Sequence, residues 1–237
     1  MAIGIATVGN SYTDKCQVLN MSSTSTTCAS LQNYPYPTAF TAGGVVNGAP
    51  TICGGYRNNP NQPTESCYYF NRITNAWKFL SNMATTRYHH SSTVVKDALF
   101  VTGGHGSGGM TTSTEFLYSN GTTQNGPDMP LARIEHCMVT LHDGRVMILG
   151  AWSPSSLQKN VIIMDPVDKS YTTGPSMTYR RMNAGCTIFN SPLHNDRPVV
   201  VIAGGYSQST AEVYDYTNAN QWQTSIHIII CNILTFI

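Results

Sequence analysis

Three arginines carry the most pointed chemistry in this sequence. Arg87, Arg133 and Arg181 each follow a methionine by four residues, Met83, Met129 and Met177, and the methionines are 46 and 48 residues apart. A guanidinium offers five N–H donors in a planar fork, which fits carboxylates on a partner. The same fork fits backbone carbonyls, in which case a repeated arginine braces its own loop. The remaining ionisable groups are less organised. His89, His90 and His136 stand at the start of strand-like runs, and His105 and His142 lie in loops. Histidines distant in sequence can meet around copper or zinc, so a metal site is conceivable from residue types alone. Asp128, Glu135, Asp143 and Asp165 show no spacing that sets one as acid and another as base. The glycine-rich run His105-Gly106-Ser107-Gly108-Gly109 lacks the lysine and the following helix of a phosphate loop. It reads as a flexible connection of the kind that forms variable binding surfaces.

Composition narrows the partners. Charged residues make up 11% of the 237 residues and the net charge is +1. Neither a phosphate backbone nor an anionic membrane has a counterpart in such a chain, and no run reaches transmembrane length. Seven cysteines occur without a C-x-x-C pair, which argues against zinc knuckles and thioredoxin-like redox chemistry. Cys16 with Cys28, Cys53 with Cys67, and Cys137 with Cys186 are candidate neighbours, and buried thiols are the alternative.

The elements that position these residues repeat. The stretch from Met83 to Gly104 holds a loop with an arginine, an alternating run, a tight turn and an apolar run ending in a glycine doublet. A period near 45–50 residues points to a solenoid, a propeller or an array. Units are expected at 1–33, 34–80, 81–127, 128–175 and 176–225, the first lacking its first strand. Each is expected to hold four short strands. Asn47-Gly48, Lys96-Asp97 and Asp143-Gly144 supply hairpin turns between the first two strands. In the fifth unit a longer connection, Asn190 to Pro198, takes that place. Gly54-Gly55, Gly103-Gly104 and Gly204-Gly205 end the second strand, whereas the fourth unit has Gly150-Ala151 and the first Val8-Gly9. Tyr69 and Trp77, like Tyr214 and Trp222, are eight apart and mark the outer strands. The apolar N-terminus reads as a strand rather than a leader peptide. The run Ile226 to Ile237 matches no part of the repeat and is expected to be a foreign tail on a truncated chain, the alternative being that it supplies the missing first strand of the first unit and closes a ring.

Four antiparallel strands with two apolar faces must be covered on both sides, and radial stacking in a β-propeller does this while protecting the edges. A glycine doublet fits where the chain turns sharply beside a neighbouring sheet. Doublets, Tyr/Trp markers, the Met-x-x-x-Arg loop and the period together resemble the kelch repeat. The resemblance implies an all-β propeller of about five blades, the first incomplete. Its kelch-like relatives include substrate receptors whose loop arginines contact acidic peptides. It therefore implies a non-catalytic protein-binding module, with Arg87, Arg133, Arg181, His105 and Ser107 as candidate partner contacts. An actin- or matrix-associated scaffold is the alternative within the binding class. An enzyme alternative is a galactose-oxidase-like copper protein, which shares such blades. That chemistry needs a Cys–Tyr pair, a second tyrosine and two histidines, and no such constellation is recognisable. No cofactor is expected. Asn20-Met21-Ser22 and Asn120-Gly121-Thr122 are glycosylation sequons that matter only in a secreted protein, and the compartment stays open between cytoplasm and exterior.

Overall fold

A computed structural model describes residues 2–5, 12–19, 29–218 and 221–225. Among the described residues strands dominate, joined by turns and one 3-10 turn at Pro192–His194. No helix among the described residues is long and apolar enough to cross a membrane. The second unit is a four-stranded antiparallel sheet of Ala42–Val46, Ala49–Cys53, Ser66–Asn71 and Ala76–Asn82. The third has Ser91–Val95, Ala98–Thr102, Thr114–Tyr118 and Thr123–Asn125. The fourth has Cys137–Thr140, Val146–Trp152, Leu157–Asp165 and Ser170–Gly174. The fifth has Gly185–Ser191, Arg197–Ala203, Ala211–Tyr214 and Gln223–Ser225. Each sheet pairs its strands in chain order. The first unit is a three-stranded sheet of Ala2–Ile5, Cys16–Leu19 and Ala29–Ser30. Four-stranded antiparallel sheets stacked in chain order are the blades of a β-propeller. Val8-Gly9 and the run 226–237 lie outside the described residues.

Local chemistry explains the hairpins. Asn47 and Gly48 both take positive φ (46° and 76°), as a two-residue turn matching strand twist requires. Lys96 takes φ 55° and Gly144 φ 89° in the corresponding turns. The first strands of successive units adjoin one another, which makes them the innermost of each blade.

The core lies between blades rather than within one. Alternate residues of a strand face opposite neighbours. Leu99, Val101 and Leu117 pack with Val46, Cys53 and Met83 on the side of the second blade. Phe100 and Phe116, stacked at 4.5 Å, pack with Met138, Val146, Ile148 and Met164 of the fourth. Both faces being covered, Ala98–Thr102 is buried throughout. Removing a Leu or Phe side chain of this kind from water contributes about 1.5–3 kcal/mol. Two cystines add covalent ties. Cys53–Cys67 joins neighbouring strands of the second blade, and Cys137–Cys186 joins the inner strands of the fourth and fifth. The pairing of Cys16 with Cys28 cannot be placed, because Cys28 lies outside the described residues.

The outer strands are pinned to the loop that enters their own blade. Trp77 Nε1 donates to Gln32 O (3.2 Å), Trp222 Nε1 to Pro175 O (2.8 Å), and Tyr171 OH to Pro127 O (2.9 Å). The three acceptors stand two residues before Tyr34, Met177 and Met129. The aromatic partners correct the expected register. Tyr214 stacks on Trp222 at 5.1 Å, but Trp77 meets Phe70 at 5.4 Å, one residue beyond Tyr69. Cys67 pairs with Cys53 and Ala211 with Ala203, each partner preceding its doublet, so Phe70 is the structural counterpart of Tyr214. The spacing of eight is coincidental, because the fifth blade has one more residue in its last hairpin.

Candidate partner-binding face

The three arginines do not form a surface. Arg87 and Arg181 are 0% exposed and Arg133 is 1% exposed. Arg87 turns inward beneath its loop. Its Nη1 donates to Gly103 O (2.8 Å) and Ser113 O (2.9 Å), and its Nη2 to Ser113 Oγ (2.8 Å) and Glu115 Oε1 (2.7 Å). The other oxygen, Glu115 Oε2, accepts the Ala84 N–H (2.6 Å). Arg181 repeats this with Gly204 O, Thr210 O, Thr210 Oγ1 and Glu212 Oε1, and Glu212 Oε2 accepts the Thr178 N–H (2.6 Å). Their backbone faces the preceding blade. The Arg87 carbonyl accepts the Gly55 N–H at 2.7 Å, and a Cβ on Gly54 would stand 2.6 Å from that carbonyl. Each arginine thus ties the doublet behind it to the doublet of its own blade. The expectation of partner contact by Arg87, Arg133 and Arg181 is corrected accordingly: their donors are committed to the fold or sealed from solvent.

Arg133 keeps the equivalent bond, Nη1 to Gly150 O at 2.8 Å, but Ile162 occupies the strand position where the third and fifth blades have glutamate. Its Nε and the Asn160 Oδ1 have no partner among the described residues. Burial lowers its pKa to about 10. A proline accompanies each missing carboxylate. Ala84 and Thr178, which donate to the glutamates, correspond to Pro130 in the fourth unit and Pro35 in the second. Proline has no N–H, so a carboxylate there would lose a bond. Ile162 and Tyr68 occupy the two glutamate positions. In the second unit Thr38 replaces the arginine, and Arg57 reaches in from the next loop to bond Ser66 Oγ (3.1 Å) and Tyr36 OH (2.6 Å).

What the same loops present outward is different. Two residues beyond each bracing position lie Phe40, His89, Glu135 and Asn183, all at left-handed φ between 53° and 58°. Their backbones form a chain across four blades: His89 N–H to Phe40 O (3.2 Å), Glu135 N–H to His89 O (2.9 Å), Asn183 N–H to Glu135 O (2.9 Å). The side chains also touch. The Phe40 and His89 rings stack at 3.9 Å, and His89 Nδ1 lies 3.1 Å from Glu135 Oε1. Burial and the neighbouring His105 lower His89 to about 4, and burial raises Glu135. At neutral pH a neutral imidazole donating its Nδ1–H to the carboxylate satisfies both groups.

Outside this chain lies a row of rings. The residue after each doublet is Tyr56, His105, Trp152 or Tyr206. Each is held to the entering loop of its own blade: Tyr56 pairs with Ala39, His105 with Tyr88, Trp152 with Ile134, and the Tyr206 N–H donates to Met182 O. Trp152 is 42% and Tyr206 62% exposed. Tyr88 joins the rows, its ring 5.0 Å from Tyr56, 5.1 Å from His89 and 5.2 Å from His105. His105 is therefore central, whereas Ser107 lies exposed at the tip of the hairpin between His105–Gly106 and Gly109–Met110. Sequence reading missed the rest of this face, although the signal was present: an aromatic or imidazole side chain after every doublet. Among the described residues no group of three His, Cys, Asp or Glu is arranged to hold a metal. Asn120 of the second sequon is exposed in a turn; the first lies outside the described residues.

Comparison with known proteins agrees with this geometry. The family model described as Kelch motif matches residues 52–84, which span the second-blade strands from Ile52 to the Met83 loop. Alpha-scruin of Limulus polyphemus is 25% identical over 191 residues, covering 75% of this chain, and the chain spans 20% of alpha-scruin's length. Among solved structures, that of YjhT superposes with a TM-score of 0.68 at 14% identity, covering 81% of this chain and 66% of YjhT.

Proposed function

We propose that this chain, which is a kelch-repeat β-propeller protein, is a non-catalytic protein-binding module that holds its partner on the face bearing Phe40, Tyr56, Tyr88, His89, His105 and Glu135. One observation carries the reading. At four equivalent positions with the same backbone conformation and the same interblade hydrogen bonds, the side chains are Phe, His, Glu and Asn. The fold dictates the backbone there and leaves the side chains to another purpose. Half-buried rings in mutual contact beside them, Tyr56, Tyr88 and His105, with the exposed Phe40, fit recognition of a protein segment, since aromatic anchors dominate binding energy at interfaces. Ser107 at the hairpin tip is a peripheral contact in this reading.

A random dodecapeptide library displayed on phage, panned against the purified chain, tests it. Enriched peptides are expected to bind the wild type and to lose binding to the Tyr88→Ala/His105→Ala double variant. Panning that enriches nothing, or peptides indifferent to that variant, overturns the proposal.

A further inference from the structure

Two features away from the partner-binding face point the same way. The first is the cysteines. Among the described residues Cys53 is joined to Cys67 and Cys137 to Cys186, and Cys16 is a buried thiol. The two bonds are independent of one another. Cys53 and Cys67 are fully buried partners on adjacent strands of one blade. Cys137 and Cys186 lie on the inner strands of neighbouring blades, 49 residues apart in sequence. Cystines of this kind persist in oxidising compartments and are rare in a reducing cytosol.

The second feature is Asn120-Gly121-Thr122, the pattern of an N-glycan acceptor. The pattern is usable only where its asparagine reaches solvent, and the fold meets that condition. Asn120 and Thr122 are exposed in the turn between Thr114–Tyr118 and Thr123–Asn125, closed by the Gly121 N–H on Tyr118 O at 2.9 Å. Asn120 Oδ1 accepts both the N–H (2.9 Å) and the hydroxyl (2.7 Å) of Thr122. The threonine thus polarises the carboxamide through its oxygen and leaves the nitrogen for reaction.

Position gives the modification a use. Ala98 pairs with Tyr118 and Thr102 with Thr114, so this turn lies beside the Lys96-Asp97 turn, at the end of the blade away from His89 and His105. A group attached here leaves the partner-binding face open. The adjoining strand, Thr123–Asn125, is the outer edge of its sheet, exposed at every residue and without charge. An unguarded edge invites pairing with another chain, which a bulky, hydrated group beside it obstructs.

We infer that this chain matures in an oxidising compartment, where both cystines close, and that Asn120 there receives an N-linked oligosaccharide. In that transfer Asn120 Nδ2 bonds to the anomeric carbon of an oligosaccharide carried on a lipid diphosphate. The carbon–oxygen bond to the diphosphate breaks, the lipid diphosphate leaves with the electron pair, and the Nδ2 proton passes to a base of the transferase.

Mass spectrometry of the protein recovered from its own organism tests this. Alkylation before reduction should leave Cys53, Cys67, Cys137 and Cys186 unmodified. Peptide N-glycosidase digestion in 18O water should convert Asn120 to 18O-labelled Asp in the tryptic peptide Asp97–Arg133. Secretion of the chain from insect cells supplies the variants, made on an Asn20→Gln background so that the other sequon contributes nothing. A glycosidase-sensitive gel shift is expected, retained in Thr122→Ser and lost in both Asn120→Gln and Thr122→Ala. Alkylated Cys137 and Cys186 in the native protein, an unmodified native Asn120, or a gel shift that survives Asn120→Gln overturns the inference.

Discussion

Arg87 and His89 sit two residues apart in one loop and have opposite fates. Arg87 is 0% exposed, spends four hydrogen bonds on its own blade, and recurs as Arg133 and Arg181. His89 lies at the mouth, and its counterparts are Phe40, Glu135 and Asn183. In a repeat protein, what every unit must do to join its neighbour is written with little change from unit to unit. What the molecule does once, for a partner, is written where the units differ. A repeated arginine in a loop is therefore a better marker of a blade junction than of a binding site. The change of side chain at a fixed backbone position is the marker of a site.

The largest effect should come from breaking the brace. Arg87→Ala leaves Glu115 (2% exposed) without its cation and three further acceptor contacts unmade. Breaking a buried pair in this way costs about 3–5 kcal/mol. Arg133→Met should cost much less, because no carboxylate is orphaned and replacement of a buried charge by an apolar side chain of similar volume is often near neutral. Urea melts of the two variants measure the difference. Equal losses would mean that the carboxylate is incidental and that the bond to the doublet carries the junction.

A smaller effect tests why the fourth blade lacks its glutamate. Ile162→Glu alone puts a carboxylate beside Arg133 but leaves one oxygen without the amide that Ala84 or Thr178 provides elsewhere. Pro130→Ala alone restores an amide with nothing to receive it. Together they should rebuild the arrangement of the third and fifth blades, with a coupling free energy of about 1–3 kcal/mol favouring the double variant. Additive effects in the urea melts would show that the co-occurrence of Pro130 with Ile162, and of Pro35 with Tyr68, has another origin.

The same contrast explains what the sequence could and could not disclose. The period, the turns and the doublets are local chemistry, so the five units and their strands are legible in the chain. Even the proline–glutamate exclusion is legible once the units are aligned. The direction of a side chain leaving a loop is not. Nothing in Met-x-x-x-Arg says that the guanidinium folds under the loop toward Gly103 O rather than outward. That depends on an acceptor sixteen residues away and a carboxylate twenty-eight away. The left-handed turn that swings His89 outward is equally silent, since Phe, His, Glu and Asn share no propensity that announces it. The pair Tyr69–Trp77 shows the converse hazard: a spacing that repeats in sequence but pairs different residues in space.

The finest test of the contrast uses two adjacent histidines. His90 is 7% exposed, its ring is 2.7 Å from where a Cβ on Gly54 would stand, and burial, aided by Arg87, lowers its pKa to about 3. His136 holds the equivalent place against Gly103 and is likewise lowered to about 3 by burial. An unfolded histidine titrates near 6.5. Between there and the folded values the unfolded chain binds more protons. Stability therefore rises with pH in that window, and is lost as the solution is acidified from about 6.5 toward 3. Each histidine should cost on the order of 1 kcal/mol for the first pH unit below 6.5. His90→Gln should flatten the slope of urea-melt stability between pH 6.5 and 5 by about one histidine's share, whatever it does to stability at neutral pH. His89→Ala removes the stacking on Phe40 and the bond to Glu135 but keeps the backbone chain between blades, so it should cost only about 1 kcal/mol at neutral pH, well below Arg87→Ala, while weakening peptide capture on the face. If His89→Ala instead destabilises as strongly as Arg87→Ala, the mouth residues belong to the scaffold. The division between repeated brace and varied surface would then fail at the place where the two come closest.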